Sequence, residues 1–105
     1  MERILENIIY LELFRRGYEI QVGKMGDTEV DFIATGEHGD EYYQVAYTVE
    51  GEAGNGKAMI DRELAPLNAI RNHYPKFLLT MDFTPNASHN GIIQINALDW
   101  LLGEY

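Results

Sequence analysis

The sequence predicts one domain of mixed α/β (α+β) architecture, in which helices flank a mixed central sheet. The chain has 105 residues, a length that fits one domain with its own core. Apolar residues make up 46% of it, which is typical of a folded domain and too many for a disordered one. Helical spacing of apolar residues at the N-terminus is followed by three strand-like segments, and then by helical and strand-like spacing again. The predicted order, α-β-β-β-α-β-(β)-α, describes a layered fold.

The first predicted element is a helix over residues 2–16. Its apolar side chains occupy nearly the whole circumference, which predicts burial on more than one side. These side chains are Ile4, Leu5, Ile8, Ile9, Leu11, Leu13 and Phe14. Arg15 and Arg16 suit the negative end of the helix dipole, and Gly17 supplies a C-terminal stop. No capping residue precedes the apolar first turn, and we therefore expect the chain to be part of a longer polypeptide.

Three strands are predicted next, and the second and third form an antiparallel hairpin. Tyr18 to Gly23 alternates apolar and polar residues, as a half-buried strand does, and Lys24 to Thr28 has the composition of a turn. The stretch from Glu29 to Tyr47 is rich in β-branched and aromatic residues on either side of a turn at Gly36 to Asp40. We expect this hairpin to be the element around which the sheet is built.

A second helix is predicted over Lys57 to Tyr74, after a glycine-rich loop at Val49 to Gly56. Apolar residues recur in it at helical spacing. They are Met59, Ile60, Leu64, Leu67 and Ile70. Pro66 lies inside this pattern and predicts a kink or two abutting segments, because proline in a helix interior costs about 3 kcal/mol.

The C-terminal third is predicted to add two short strands and a final helix. Phe77 to Met81 is a short apolar run between turn signals, which predicts a buried fourth strand. We expect loop over residues 82–91 and a short fifth strand at Ile92 to Ile95. Ala97 to Leu102 is predicted to form a terminal helix turn with Asn96 as its N-cap.

Charge restricts the possible partners. Seventeen acidic residues against eight basic ones give a net charge of −9, the wrong sign for a free-standing nucleic-acid binder. No apolar stretch approaches the roughly 20 residues that cross a bilayer, and no signal peptide is visible. The sequence has no cysteine, which excludes disulfides and thiolate metal sites and is compatible with a reducing compartment. We therefore expect a soluble, cytoplasmic protein that does not bind membranes.

One segment satisfies the pattern of a phosphate-binding loop. Gly51 to Ala58 matches G-x-x-x-x-G-K between a predicted strand and a predicted helix. However, Ala58 stands where a hydroxyl would hold magnesium, and Glu52 adds negative charge to the loop. The preceding strand also belongs to an antiparallel hairpin. We therefore favour the alternative, a flexible connector rich in glycine.

Isolated polar residues give weaker signals. His38, His73 and His89 have no metal-ligand spacing, and we expect them to be solvated. Ser88 and His89 are adjacent but lack a third, orienting group. The acidic residues of the hairpin turn are expected to form a solvated tip. They are Glu37, Asp40 and Glu41.

The most informative constellation combines the first helix with the hairpin. Period-two geometry places Glu29, Asp31 and Ile33 on one face of the second strand. It likewise places Gln44 together with Ala46 on one face of the third strand. If the register aligns Asp31 with Gln44, a carboxylate of the first helix, Glu6, faces them. Oxygen ligands gathered in this way bind Mg²⁺ or Mn²⁺, which can activate water for phosphodiester hydrolysis.

The order of these residues resembles a known fold. A helix with Glu6, a strand with Asp31 and a strand with Gln44, in an α-β-β-β-α-β frame, look like the PD-(D/E)xK nuclease fold of restriction endonucleases and archaeal Holliday-junction resolvases. More specifically, short motifs resemble the C-terminal domain of unknown function that follows the AAA+ module in a family of prokaryotic ATPases. They are Leu5-Glu6-Asn7, Glu12-Leu13, Arg16-Gly17-Tyr18, Glu29-Val30-Asp31-Phe32, Gln44-Val45, Arg62-Glu63-Leu64 and Tyr74-Pro75-Lys76. The resemblance covers nearly the whole chain and implies a restriction-endonuclease-like αβββαβ core.

Departures from the family pattern affect the chemistry that it implies. Where many relatives carry Glu-Val-Lys, this sequence has Gln44-Val45-Ala46. Gln44 offers a metal a carbonyl oxygen but no charge, and Ala46 removes the cation that would position the attacking water. Lys24 could replace that lysine from a displaced position. The resemblance therefore implies a site that binds divalent metal weakly. Its candidate residues are Glu6, Asp31, Gln44 and Lys24.

The residues leave three hypotheses open. The preferred one is a nuclease-like domain that is catalytically impaired or inactive and serves as the C-terminal accessory domain of an AAA+ ATPase. Its candidate partners are the N-terminal ATPase module of the same polypeptide and a second copy of itself, as a homodimer. The alternative is an active metal-dependent DNA endonuclease that uses the four candidate residues. The third is a purely structural domain whose Asp31 is hydrogen-bonded within the hairpin.

Overall fold

The computed structural model describes residues 2–25, 28–50, 56–83 and 87–104, and within these ranges the chain forms three helices and six strands. The helices are α1 (Glu2–Arg15), α2 (Gly56–Asn68) and α3 (Ala97–Leu102). The strands are β1 (Glu19–Met25), β2 (Thr28–Gly36), β3 (Gly39–Val45), β4 (Lys76–Thr80), β5 (Ala87–His89) and β6 (Ile92–Asn96). The order αβββαβββα confirms the predicted mixed α/β class. None of the described helices combines the length and the hydropathy needed to cross a bilayer.

The described strands form one mixed sheet in the order β1-β2-β3-β4-β6-β5. β1, β2 and β3 pair in antiparallel fashion, whereas β4 joins β3 and β6 joins β4 in parallel. β5 pairs with β6 as an antiparallel edge strand, which corrects the prediction of loop over residues 82–91. Asn90 and Gly91 connect the two strands, and both have positive φ (54° and 86°), as a two-residue hairpin turn requires.

The sheet separates two apolar clusters. α1 and α3 pack on one face, in a cluster of Leu5, Ile9, Leu13, Phe32, Ala34, Tyr43, Val45, Leu79, Ile95, Ala97 and Trp100. α2 packs on the other, in a cluster of Val30, Tyr42, Ala46, Val49, Leu64, Leu67, Ile70, Leu78 and Ile92. Neighbouring residues such as Leu78 and Leu79 enter different clusters because side chains alternate along a strand. This explains why β4 has the continuous apolar run that predicted a buried strand.

Within the single chain α1 is buried on one side only, so the predicted burial on more than one side is not found inside this domain. Leu5, Ile9 and Leu13 face the sheet and are at most 6% exposed. The opposite side carries large apolar side chains that are 42–66% exposed. They are Ile4, Ile8, Tyr10, Leu11 and Phe14.

α2 is shorter than predicted. The helix includes Pro66 and ends at Asn68 instead of continuing to Tyr74. Proline has no N–H to donate to the carbonyl four residues earlier, but the helical bonding resumes after it, with the Ala69 N–H donating to the Ala65 carbonyl at 3.1 Å. The backbone then tightens, with the Ile70 N–H donating to the Leu67 carbonyl at 3.1 Å.

α3 is fixed at its start and against α1. Asn96 Oδ1 accepts the N–H groups of Leu98 and Asp99 at 2.9 and 3.2 Å, which confirms the predicted N-cap. The Arg16 guanidinium lies 4.3 Å from the centroid of the Trp100 ring and donates to the Trp100 carbonyl at 2.9 Å. The C-terminal end of α1 is therefore attached to α3.

Candidate functional site

The candidate site lies at an irregularity in β2. Two successive pairs of the β1–β2 ladder are Gln21–Ile33 and Gly23–Val30. Between them β1 has one residue, whereas β2 has two, Asp31 and Phe32. Val30 and Ile33 consequently pack in the same apolar cluster although they are three residues apart. The strict alternation predicted for Glu29, Asp31 and Ile33 is therefore wrong, because a β-bulge adds a residue between them.

Asp31 and Gln44 bridge the place where β2 and β3 stop pairing. The regular ladder ends at the pair Phe32–Tyr43. One residue further, the Asp31 N–H donates to Gln44 Oε1 at 3.1 Å, and the Val45 N–H donates to Asp31 Oδ2 at 2.7 Å. Two side chains thus supply the hydrogen bonds that backbone groups supply elsewhere in the ladder. The hairpin holds Asp31 as the purely structural hypothesis requires.

Burial raises the pKa of the Asp31 carboxyl to about 7, because it disfavours the charged form. The Val45 N–H opposes this effect by stabilising the carboxylate. Glu6 raises the pKa further through its charge and a hydrogen bond, and the charge of Glu63 adds to it. Glu6 of α1 therefore lies beside Asp31, as predicted. Glu63 of α2 is an additional acidic neighbour that the sequence did not reveal as part of this site.

The position expected to carry a catalytic lysine is apolar and buried. Ala46 is 1% exposed and packs in the cluster beneath α2. Lys24 belongs to β1, where it pairs with Glu29, which corrects its predicted place in a turn. The structure describes only the backbone of Lys24.

The donor set fits a hard divalent cation in part. Among the residues that the structure describes, no three or more Asp, Glu, His or Cys side chains are grouped so that they could hold a metal ion. Glu6 and Asp31 supply two neighbouring carboxylates, and a cation between them would remove the repulsion that helps to raise the Asp31 pKa. Gln44 Oε1 retains one lone pair after accepting the Asp31 N–H. Together these oxygens suit a weakly held Mg²⁺ or Mn²⁺ that keeps several waters.

Most of the phosphate-loop candidate lies outside the described residues, which omit 51–55. Gly56 and Lys57 begin α2. The Lys57 ammonium contacts Asp61 Oδ2 at 3.1 Å, and both side chains are exposed on the helix surface. This is an ordinary i, i+4 ion pair.

The histidines do not form a site within the described ranges. His38 and His73 are exposed, as predicted. His89 is half-buried in β5, with Nε2 at 3.0 Å from Gln94 Oε1, which corrects its predicted place in a solvated loop. Its neighbour Ser88 is exposed on the same strand.

Two of the three hairpin acids are not a solvated tip. Glu41 accepts the Tyr18 hydroxyl at 2.7 Å and the Tyr43 hydroxyl at 2.6 Å. Asp40 accepts the Thr35 hydroxyl at 2.6 Å. These carboxylates attach β3 to its neighbours, and only Glu37 is exposed.

A buried carboxylate at Asp82 was not predicted either. Asp82 is 7% exposed and accepts the Thr48 hydroxyl at 2.5 Å and the Val49 N–H at 2.9 Å. Its carbonyl accepts from Asn96 Nδ2 at 2.9 Å. The residue therefore joins the segments that follow β3 and β4 to the last residue of β6. Its position directly after a buried apolar run was the one signal available in the sequence.

The fold and this site together define a mixed α/β domain with a bridged carboxylate at a bulge. No family model matches the chain, and no solved structure matches it. The chain is 37% identical over 98 residues to an uncharacterized protein of Haemophilus influenzae. The match covers 93% of this chain but 22% of the relative, so the chain spans about a fifth of the relative's length. The two are distantly homologous, and the chain corresponds to one part of that much longer protein.

Proposed function

We propose that the chain is a nuclease-like accessory domain of an AAA+ ATPase, and that it is catalytically impaired or inactive. The observation that carries this proposal is the double bridge between Asp31 and the β3 residues Gln44 and Val45. The groups that resemble metal ligands are engaged in closing the sheet. Ala46, buried in an apolar cluster, stands where the implied lysine would be.

The electrostatics of the site support an impaired function. Phosphodiester hydrolysis develops negative charge, which an active site stabilises with cations or hydrogen-bond donors. Here Glu6 and Glu63 add negative charge around Asp31 and raise its pKa. A net charge of −9 further opposes the approach of a polyanion. Nucleic acid is therefore a poor ligand for this domain by itself.

If a divalent metal binds, Glu6 and Asp31 would hold it and the Gln44 carbonyl would complete the protein's share of the ligands. The metal would supply Lewis-acid chemistry. Asp31 must release its proton before it can act as a ligand, and its pKa of about 7 makes this occur near neutral pH. Metal affinity should therefore be low and should depend on pH.

The length of the relative supports a partner on the same polypeptide. The matched region is 22% of the Haemophilus protein, so most residues of that protein lie outside the matched region. The motifs described above resemble the domain that follows an AAA+ module, and we infer that this module is the partner. A cytoplasmic location is inferred with it, because the ATPase requires ATP.

A plasmid-nicking assay with Mn²⁺ tests the proposal. We expect no cleavage by the wild-type chain or by Asp31→Asn at any pH near neutrality. Cleavage by the wild type that disappears in Asp31→Asn would overturn it. In the longer polypeptide, Asp31→Asn should leave ATP hydrolysis unchanged, and a protein without ATPase activity would refute the partner.

An active endonuclease is the second candidate, because the adjacent carboxylates of Glu6 and Asp31 are suited to a divalent cation. It would require Lys24 to take the place of the missing lysine. In the nicking assay Lys24→Ala should then abolish cleavage as completely as Asp31→Asn does. Equal and undetectable activity in all three proteins supports the accessory role.

A further inference from the structure

The outer face of α1 has the composition of a buried surface. This face comprises Ile4, Ile8, Leu11 and Phe14, which are 59%, 43%, 64% and 66% exposed. The opposite side of the same helix already packs on the sheet, so α1 is apolar around most of its circumference. A helix of this kind is normally covered on all sides.

A groove lies beside the N-terminal half of this face. It separates α1 from α3 and has a volume of about 170 Å³. Every residue lining it is apolar, and they include Ile4, Ile8, Tyr47, Met81, Leu98 and Leu101. Leu11 and Phe14, the most exposed side chains of this face, lie further along the helix than the groove. The groove therefore borders one half of the face, and the two most exposed side chains occupy the other half.

We propose that a second copy of the chain covers this face, with the two α1 helices packed antiparallel about a twofold axis that crosses the outer face at the height of residue 9 along the helix. Residues whose numbers add up to 18 or 19 then lie opposite each other. Phe14 of one copy meets Ile4 of the other, and Leu11 meets Ile8. Leu11 and Phe14 of each copy then lie against the half of the other copy that borders the groove, so the contact is isologous and closed.

The exposed apolar area is sufficient for a stable dimer. Leu98 of α3 and Tyr47 line the groove beside this face and are 44% and 39% exposed. Together with the four side chains of the outer face they present on the order of 500 Å² of apolar surface. A standard interface buries roughly 800 Å² per partner, of which about three-fifths is apolar. The two areas agree.

The charges on this face permit self-association of an acidic chain. From Arg3 to Arg15 the outer side of α1 carries no carboxylate, so the acidic residues of two copies are not brought together there. In this arrangement Arg15 lies opposite Arg3 of the other copy. The Arg15 guanidinium is paired with Glu12 at 2.7 Å, which reduces the repulsion between these two arginines. Apolar contact can therefore dominate at this face.

Sedimentation equilibrium of the chain tests the proposal. Between about 1 µM and about 1 mM we expect a shift from the 12.0 kDa monomer to twice that mass. Leu11→Glu and Phe14→Glu should remain monomeric with unchanged circular dichroism, because both side chains are exposed in the single copy. Val22→Glu is the matched control: its side chain is 78% exposed on β1, and the variant should dimerise like the wild type. A wild type that stays monomeric throughout overturns the proposal and assigns the face to another part of the longer polypeptide.

Cross-linking tests the orientation of the two helices. The sequence has no cysteine, so a thiol cross-linker reacts only at the cysteine that is introduced. Ile4→Cys and Phe14→Cys are prepared separately, mixed, and treated with a short thiol cross-linker. The antiparallel arrangement predicts that Ile4→Cys links to Phe14→Cys and that neither links to itself, since the two positions are about 15 Å apart along a helix. Self-linked Phe14→Cys, or dimerisation that Leu11→Glu leaves intact, would contradict the proposed contact.

Discussion

Asp31 is joined to two successive residues of β3 at the point where β2 and β3 separate: its N–H donates to Gln44 Oε1, and its carboxylate accepts the Val45 N–H. The same carboxylate is the principal candidate ligand for a metal. Stability, protonation and metal binding are therefore coupled at one residue. Each can be measured separately.

Asp31→Asn should change how stability depends on pH. A folded carboxyl with a pKa of about 7 retains a proton that the unfolded chain loses near pH 4. The folded state then binds more protons, so the free energy of unfolding falls as pH rises from about 4 to about 7 and levels off above that. Asn keeps an oxygen for the Val45 N–H and does not titrate. Urea unfolding should show the variant more stable than the wild type at pH 8 by roughly 1–2 kcal/mol. The difference is limited to this range because Asp31 is partly exposed and solvent screens its charge.

The two proteins should converge below about pH 4, where the Asp31 carboxyl is protonated in both the folded and the unfolded chain. Asp61→Asn, which removes an exposed carboxylate on α2, is the control and should follow the wild type. Parallel pH profiles for wild type and Asp31→Asn would show that Asp31 titrates normally.

Gln44→Glu should strengthen metal binding. The new carboxylate can still accept the Asp31 N–H and adds the charge that the wild-type site lacks. We expect Mn²⁺ affinity at pH 8 to rise at least about tenfold in calorimetric titration, which corresponds to 1.4 kcal/mol. Gln94→Glu, which changes another buried amide in β6, is the matched control and should bind no better than the wild type. Equal affinities for Gln44→Glu and the control would exclude Gln44 from any metal site.

Asp82→Ala should be among the most destabilising single substitutions. It leaves the Thr48 hydroxyl and the Val49 N–H without their acceptor in a buried region, at about 1–3 kcal/mol for each group. We expect a loss of roughly 2–4 kcal/mol in denaturant unfolding. Asp61→Ala, which removes a carboxylate from an exposed ion pair, should cost less than about 1 kcal/mol. Similar losses for both would mean that water replaces the Asp82 contacts.

Gly23→Ala should disturb the bulge that positions Asp31. A Cβ on Gly23 would collide with the Val30 side chain and lie 2.9 Å from Ile33 Cγ1. Overpacking of this kind costs about 1–3 kcal/mol. Removing the obstructing atoms with Val30→Ala in the same chain should return part of that loss. A double-mutant cycle with no coupling between the two substitutions would contradict the packing seen here.

The sequence predicted those parts of the fold that local patterns determine. The apolar run of β4, the β2–β3 hairpin and the Asn96 N-cap each have a local physical cause and are present. The one-sided burial of α1 could not be predicted, because it depends on which elements pack against the helix. β5 has three residues and no pattern of its own, although Asn90-Gly91 was a hairpin signal that deserved more weight.

For the candidate site, the sequence predicted which side chains come together but not the β-bulge and the hydrogen bonds that hold them. Glu6, Asp31 and Gln44 do come together, whereas the bulge depends on the fit of Val30 around Gly23 and has no signature in a single sequence. The contribution of Glu63 likewise arises from the way α2 packs. Whether these residues bind metal remains a prediction.

The order of the strands also has a consequence for folding. β1, β2 and β3 follow one another with two residues between each pair of strands, so their contacts close small loops. The parallel pairing of β3 with β4 joins strands that are separated in the sequence by α2 and the segments on either side of it, so it closes a much larger loop. Local contacts form faster than distant ones, so the N-terminal meander should acquire protection from hydrogen exchange before β4 and β6 do. On that pathway the hydrogen bonds of Asp31 join β2 to β3 before the other edge of β3 is paired. β4 then pairs with an edge strand that is already in place.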